Sequence, residues 1–201
     1  MKRHILLLAA LLAVCMTASA QFRWGVNVGT NISNYHFKQK LLEADAVVGA
    51  EAGIKGEMMF PGIGFGVDIG LNWNMHGSKL HFGEFPVFAP AQTETSYLHT
   101  LQVPLNLRFK YTRLNGFEEK LAPFVFGGPV FSITVAHSNV GPLEYSGGCV
   151  GLQCGLGAEI HRHWQVSAGY QWGMTYEVRT RKLDNYSARC SGWKVNLVYL
   201  F

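Results

Sequence analysis

The sequence predicts an all-β protein, an eight-stranded antiparallel up-and-down transmembrane β-barrel, on three observations. Apolar and polar residues alternate with period two in eight separate stretches, the pattern of strands whose two faces meet different surroundings. The connections between these stretches alternate between short and long, the difference that a barrel threaded through a bilayer shows between its two rims. The chain carries 23 glycines and 15% charged residues, and the glycines gather on the polar side of the alternation. Beyond residue 20 there is no 3.6-residue period and no apolar run long enough for a spanning helix.

Residues 1–20 read as a targeting segment. Lys2 and Arg3 precede an apolar run over 5–16, and Ala18-Ser19-Ala20 gives a small-x-small site before Gln21, which together describe a cleaved secretory signal. Val14 stands before Cys15 where a lipid-modification site would carry a small residue. Cleavage near Ala20 is therefore expected, leaving residues 21–201 as one barrel domain. The formal charge of +4 falls to about +2 without Lys2 and Arg3, and no basic run is present, so nucleic acid is not an expected partner. Cys149, Cys154 and Cys190 are too few and too scattered for a disulfide framework.

The first stretch is FRWGVNVGTNI (22–32), with Trp24, Val26, Val28 and Ile32 opposite Arg23, Asn27 and Asn31. AVVGAEAGIKGEM (46–58) sets Val48, Ala50, Ala52 and Ile54 against Glu51, Lys55 and Glu57. IGFGVDIGLNWNM (63–75) alternates without a break, Ile69, Leu71 and Trp73 opposing Asp68, Asn72 and Asn74. YLHTLQVPLNLRFKY (97–111) places Leu101 to Tyr111 opposite Gln102, Arg108 and Lys110, with Pro104 an awkward donor-less position. APFVFGGPVFSITV (122–135) is apolar on both faces, and its Gly127-Gly128-Pro129 predicts a bulge with a register shift. CVGLQCGLGAEI (149–160), WQVSAGYQWGMTYE (164–177) and WKVNLVYLF (193–201) complete the eight. Tight turns are expected at 60–62 and 161–163, and longer loops at 33–45, 76–96, 137–147 and 177–187, with a moderate link at 112–120.

A soluble barrel of lipocalin type would alternate in the same way but hide its apolar face. The polar face decides for a membrane barrel. It joins glycine with Arg23, Glu51, Lys55, Glu57, Asp68, Arg108, Lys110, Glu159 and Lys194. Eight strands enclose just enough space for side chains to fill, so charges of mixed sign are expected to pair in the lumen. On the apolar face, Trp24, Phe65, Phe109, Tyr111, Phe124, Trp164, Tyr199 and Phe201 gather toward the short-turn rim. Trp73, Tyr97, Trp172 and Tyr176 gather toward the other. Two aromatic girdles at the lipid interfaces are the expectation, with outer-membrane lipid as the surrounding partner. The alternating last strand, ending at the aromatic Phe201, is the expected signal for the barrel-assembly machinery.

The AQF-x-W-G-V opening, V-P-L-N-L-R-F-K-Y, F-V-F-G-G-P, G-L-G-A-E and the V-Y-L-F ending resemble the small outer-membrane barrels called PorT-like, within the wider porin-like and OmpA-type group. The resemblance implies eight antiparallel strands in the outer membrane of a Gram-negative cell and supplies no catalytic residue. One branch of that group assists a secretion system, which implies an envelope protein as a partner class.

No residues assemble into recognisable chemistry. His76, His99 and His137-Ser138 fall near the long-loop rim, but a triad needs geometry that spacing does not supply. His161 and His163 on a turn, and His76 with His81, come without a cysteine or carboxylate at a recognised ligand spacing. No catalytic residue, metal or cofactor is therefore expected. Phe82, Phe85 and Phe88 in the longest loop are the candidate contacts. The expected function is a non-enzymatic barrel interacting through its external loops, with a narrow channel for small solutes or an accessory subunit of a secretion complex as alternatives.

Overall fold

Among the described residues ten strands form one antiparallel sheet: β1 (Gln21–Phe37), β2 (Glu43–Met59), β3 (Phe65–His81), β4 (Thr93–Lys110), β5 (Leu121–His137), β6 (Leu143–Tyr145), β7 (Gly148–Ile160), β8 (Trp164–Gly173), β9 (Val178–Thr180) and β10 (Ser187–Leu200). The structure, a computed structural model, describes residues 21–37, 43–60, 64–81, 93–111, 119–138, 143–180 and 187–201. Eight strands run in the order β1-β2-β3-β4-β5-β7-β8-β10, and β10 returns to β1 from Gly25↔Leu200 to Phe37↔Ala188. This closure removes both sheet edges, which a bilayer could not satisfy. The short strands β6 and β9 pair with each other, and β9 adds to the long-loop end of β10 at Ser187↔Arg179.

The alternation is realised as an inverted surface. Ile32, Val48, Ile69, Leu107, Ile133, Leu156 and Trp193 lie exposed on the outer wall, whereas Asn27, Glu57, Asp68, Gln102, Arg108 and Gln165 are buried inside. Leu107 is 72% exposed while Arg108, its neighbour in sequence, is 1% exposed. Water would penalise that wall, and hydrocarbon would not. Among the described residues no helix is long and apolar enough to cross a membrane, so any crossing is made by strands.

β1, β2, β3 and β5 each run 17 residues and β4 runs 18, while about 9–11 tilted residues cross a bilayer. The surplus extends the barrel at the long-loop end. The loops expected at 33–45, 76–96, 137–147 and 177–187 are accordingly shorter. β1 continues to Phe37, β3 to His81 and β5 to His137, and β9 occupies part of the last. The strands were hidden there because exposed His36, Lys79 and Thr95 replace apolar residues on the outer face, and the periodic contrast fades while the backbone ladder continues.

The tight turn at 161–163 uses His161 at φ 50 and Arg162 at φ 63, the paired left-handed residues of a type I′ turn that match hairpin twist. The bulge predicted at Gly127-Gly128-Pro129 is absent. β5 and β7 keep one register from Leu121↔Ile160 to Ile133↔Gly148, and the shift lies at His99/Thr100 in the β4–β5 ladder. Pro129 faces outward in this unbroken strand, and Gly128 lets the chain pass close to β4, where a Cβ would meet the Leu105 carbonyl oxygen. Phe124, expected in the lipid girdle, is instead 3% exposed inside the barrel. It fits because Gly157 lies beneath it, where a Cβ would stand 2.5 Å from its Cζ.

Candidate functional site in the barrel interior and its rim

The interior is layered. Nearest the short-turn rim, alternation on β1, β2, β4 and β7 brings Arg23, Glu57, Lys110 and Glu159 together. Arg23 Nη2 donates to Glu57 Oε1 at 2.6 Å and Glu159 Oε2 at 2.7 Å. Lys110 Nζ bridges the same two carboxylates at 2.8 and 2.7 Å. Gln165 Nε2 also donates to both, at 2.6 and 2.8 Å. Arg108 reaches Glu57 at 3.0 Å and Asp68 at 2.7 Å, and its guanidinium lies 3.9 Å above the Phe124 ring centre. Lys55 joins Asp68 at 3.2 Å. A buried charge is tolerated only when paired and hydrogen-bonded, and this network meets that condition from six strands.

Above it, Lys194 Nζ lies 2.8 Å from Glu51 Oε2, and Glu51 Oε1 accepts from Asn27 and Asn72 at 3.2 and 2.6 Å. A cavity of about 50 Å³ remains at this level, lined among others by Asn27, Glu51, Lys55, Asn106 and Gln153. The structure thus places all nine predicted lumen charges, Arg23, Glu51, Lys55, Glu57, Asp68, Arg108, Lys110, Glu159 and Lys194, on the inner face and in ion pairs.

Toward the long-loop rim the lining changes from charge to a small polar group and then to apolar packing. Asn31 Nδ2 donates to Asn74 Oδ1 at 2.8 Å, and Asn74 Nδ2 lies 3.1 Å from His76 Nδ1. His76 Nε2 lies 3.0 Å from Glu177 Oε2, and Cys149 Sγ lies 3.1 Å from Glu177 Oε1. Burial disfavours the Glu177 carboxylate, but His76 beside it outweighs this and holds the carboxyl below its ordinary range. Cys190 is buried at the same place, and His76, Glu177 and Cys190 present ligand atoms within 4.8 Å of one another. Beyond them Tyr35, Leu80, Val178 and Ala188 form an apolar cluster joined by Phe37, Ala44 and Tyr145, with Tyr145 Oη 2.8 Å from Ser96 Oγ. Val178 belongs to β9, so the short ribbon packs onto the barrel mouth.

Alternation on the seventh stretch already carries Glu177 to the inner face. What spacing hid is its partnership, because His76 lies 101 residues away. The other histidines stay apart. His99 stacks on Trp73 with ring centres 5.6 Å apart, His137 stacks on Tyr145 at 4.3 Å, and His81 reaches Asp45 at 2.9 Å. The Ser138 hydroxyl accepts from the Tyr97 amide at 3.3 Å rather than meeting an imidazole. Cys149 points inward and Cys154 outward, and all three described cysteines are free thiols.

On the wall, Trp24, Trp73, Tyr111, Trp164, Trp172 and Phe201 are exposed, and Tyr176 and Tyr199 half-buried. Trp24 stacks on Phe201 at 4.4 Å, and Trp164 meets Tyr199 at 4.9 Å. Phe82, Phe85 and Phe88 lie outside the described residues.

The architecture is similar to solved barrels. OprG of Pseudomonas aeruginosa superposes with a TM-score of 0.54 at 12% identity, over 90% of this chain and 95% of that one. The neisserial surface protein NspA superposes at 0.50 and 10% identity, over 89% and 97%. The outer membrane enzyme PagL gives 0.47 at 8% identity, over 85% and 98%. The first two likenesses show the fold alone. Comparison with curated proteins finds no sequence match. The family model described as outer membrane protein beta-barrel domain matches residues 6–201, nearly the whole sequence, and the chain belongs to that family of Gram-negative outer-membrane barrels.

Proposed function

We propose that the protein is a non-enzymatic and non-conducting barrel that acts through its external face. The observation that carries this reading is the cross-lumen network of Arg23, Glu57, Arg108, Lys110, Glu159 and Gln165, which spans the interior from five strands. Opening a continuous path past it would separate several buried charge pairs at once. The apolar cluster at the long-loop end adds a second barrier, and the strand extensions give the external loops a folded base. Among the described residues His76, His99 and His137 meet Glu177, Trp73 and Tyr145 rather than a serine hydroxyl, which supports a non-enzymatic reading.

Under this reading the signal is cleaved near Ala20, and Trp24, Trp73, Trp164, Trp172 and their neighbours sit at the lipid interfaces. The terminal strand is the assembly signal, and the 76–96 segment with Phe82, Phe85 and Phe88 contacts an envelope partner. The finer PorT-like assignment rests on the glycine and aromatic motifs of the sequence, and those motifs do not mark the branch that assists secretion. The narrow-channel reading is favoured by one feature, the polar cavity of about 50 Å³.

Planar-bilayer recording on refolded residues 21–201 tests the proposal. A folded, inserted and silent barrel is expected. Discrete openings abolished by occluding the lumen would overturn it. For the partner, in-cell crosslinking from position 85 should give a defined adduct that disappears when 82–92 is replaced by glycine and serine.

A further inference from the structure

Among the described residues, one place gathers imidazole, carboxylate and thiol around a common point, the buried group at the long-loop end of the lumen. We propose that His76 Nε2, a Glu177 carboxylate oxygen and Cys190 Sγ, with Cys149 Sγ as fourth donor, form a zinc-class transition-metal site.

The geometry is close to what such an ion needs. Bonds of about 2.0–2.3 Å in a tetrahedron set donors roughly 3.3–3.8 Å apart. The His76, Glu177 and Cys190 donors already lie within 4.8 Å of one another, and Cys149 stands 3.1 Å from the same carboxylate. Drawing the first three together takes a side-chain movement of about 1 Å, and Cys149 Sγ, outside that 4.8 Å group, swings further to complete the set. The four come from β3, the segment after β8, β10 and β7, so the ion would tie together strands on different sides of the rim.

A second observation points to an occupant. His76, Glu177 and Cys190 line a cavity of about 20 Å³ together with Asn31, Gln171 and Lys194, space for one water-sized species. Gln171 Oε1 and Asn31 Oδ1 are buried without a hydrogen-bond partner, on residues 8% and 3% exposed. Unpaired carbonyl-type acceptors beside a donor set of imidazole, carboxylate and thiol suit a cation as the occupant of that space. The thiol and imidazole donors favour zinc over magnesium or calcium. Lys194 also faces the cavity, but its ammonium is held at Glu51 and leaves the donor set free.

Binding is a proton exchange. Two S–H bonds break, two S–metal bonds form, and two protons leave to solvent. The imidazole proton moves from Nε2, where it serves Glu177, to Nδ1, and Asn74 must then turn its amide oxygen toward His76 to accept it. An aspartate at position 74 would supply that acceptor directly.

Residues 21–201, refolded in detergent under reducing conditions, are titrated with Co²⁺ and then Zn²⁺. One Co²⁺ per chain is expected, with thiolate-to-cobalt charge-transfer absorption in the near ultraviolet that Zn²⁺ abolishes. Cys190→Ser and His76→Gln should weaken binding by upwards of about 100-fold, and Asn74→Asp should tighten it by about tenfold. Cys154→Ser, on the outer wall, should change nothing. Heat-sensitive gel mobility reports whether each variant folds, and if His76→Gln does not, the Cys190→Ser and Asn74→Asp pair carries the test. The proposal is overturned if no thiolate band appears, or if Cys190→Ser binds as before. It is also overturned if the reduced, folded chain still lacks two hydrogens by mass and alkylates only at Cys154, because Cys149 and Cys190 would then be a disulfide.

Discussion

Replacing Glu57 by glutamine removes the centre of the interior network while keeping its volume. Glu57 is wholly buried and accepts from Arg23 at 2.6 Å, Lys110 at 2.8 Å, Arg108 at 3.0 Å and Gln165 at 2.6 Å. Glutamine keeps one acceptor oxygen and turns an amide NH₂ toward two of these donors. Two donors then face a donor, and the positive charges around the site lose a carboxylate. Breaking one partner of a buried ion pair costs about 3–5 kcal/mol, far more than an exposed pair. Arg108 retains Asp68, and Arg23 and Lys110 retain Glu159, which argues for the lower half of that range.

Urea unfolding of the refolded barrel, followed by tryptophan fluorescence and gel mobility, measures the effect. With a slope of about 2 kcal/mol per M, the midpoint should fall by roughly 1.5–2 M. Glu159→Gln should act in the same direction. The double variant should depart from additivity by about 0.5–3 kcal/mol because both carboxylates share Arg23, Lys110 and Gln165. A single-variant shift below about 0.5 M, or strict additivity of the pair, would refute the idea that these groups form one cooperative plug.

Three further outcomes follow from the wall and the interior. Leu107→Arg, at an outward site 72% exposed and two residues inside the Phe109 girdle, should destabilise the barrel in vesicles by about 1–2 kcal/mol, and an unchanged unfolding midpoint there would argue that the wall does not face lipid. Gly157→Ala should cost about 1–3 kcal/mol, because the new Cβ would meet Phe124 Cζ and the Val166 carbonyl oxygen at 2.5 Å each; combining it with Phe124→Leu should recover part of the loss in the same assay. Trp24→Ala should lose the stacking on Phe201 at 4.4 Å, about 0.5–1.5 kcal/mol beyond the area lost, and equal stability of Trp24→Ala and wild type in vesicles would remove that pair from the account.

The wall was legible because period two reports one thing reliably, which face a residue occupies. That is why the charged residues of the polar face could be assigned to the lumen from their parity, and why Cys149 and Cys154 separate. Parity fails where both faces carry the same residue type. β5 is apolar inside and out, so Phe124 and Val125 could not be told apart until Gly157, on the neighbouring strand, showed which side had room. It fails again above the bilayer, where neither face needs to be apolar and the ladder alone keeps β3 going to His81.

Parity also says nothing about partners. Two inward residues meet only if the closing of the sheet brings their levels together, and that depends on the register of every ladder between them. His76 and Glu177 reach 3.0 Å through pairings that include a shift at Ala46/Glu51 and another at His99/Thr100. Moving either register by one residue would reverse the facing of the strand beyond it. Cross-lumen chemistry in such a barrel is therefore written in the bulges as much as in the side chains. Deleting Val47 removes the one surplus β2 residue between Ala46↔Ser78 and Glu51↔Asn74 and should restore continuous β2–β3 pairing, keeping Asp45 within reach of His81, 2.9 Å apart here, and leaving Glu57 and its partners below the shift in place.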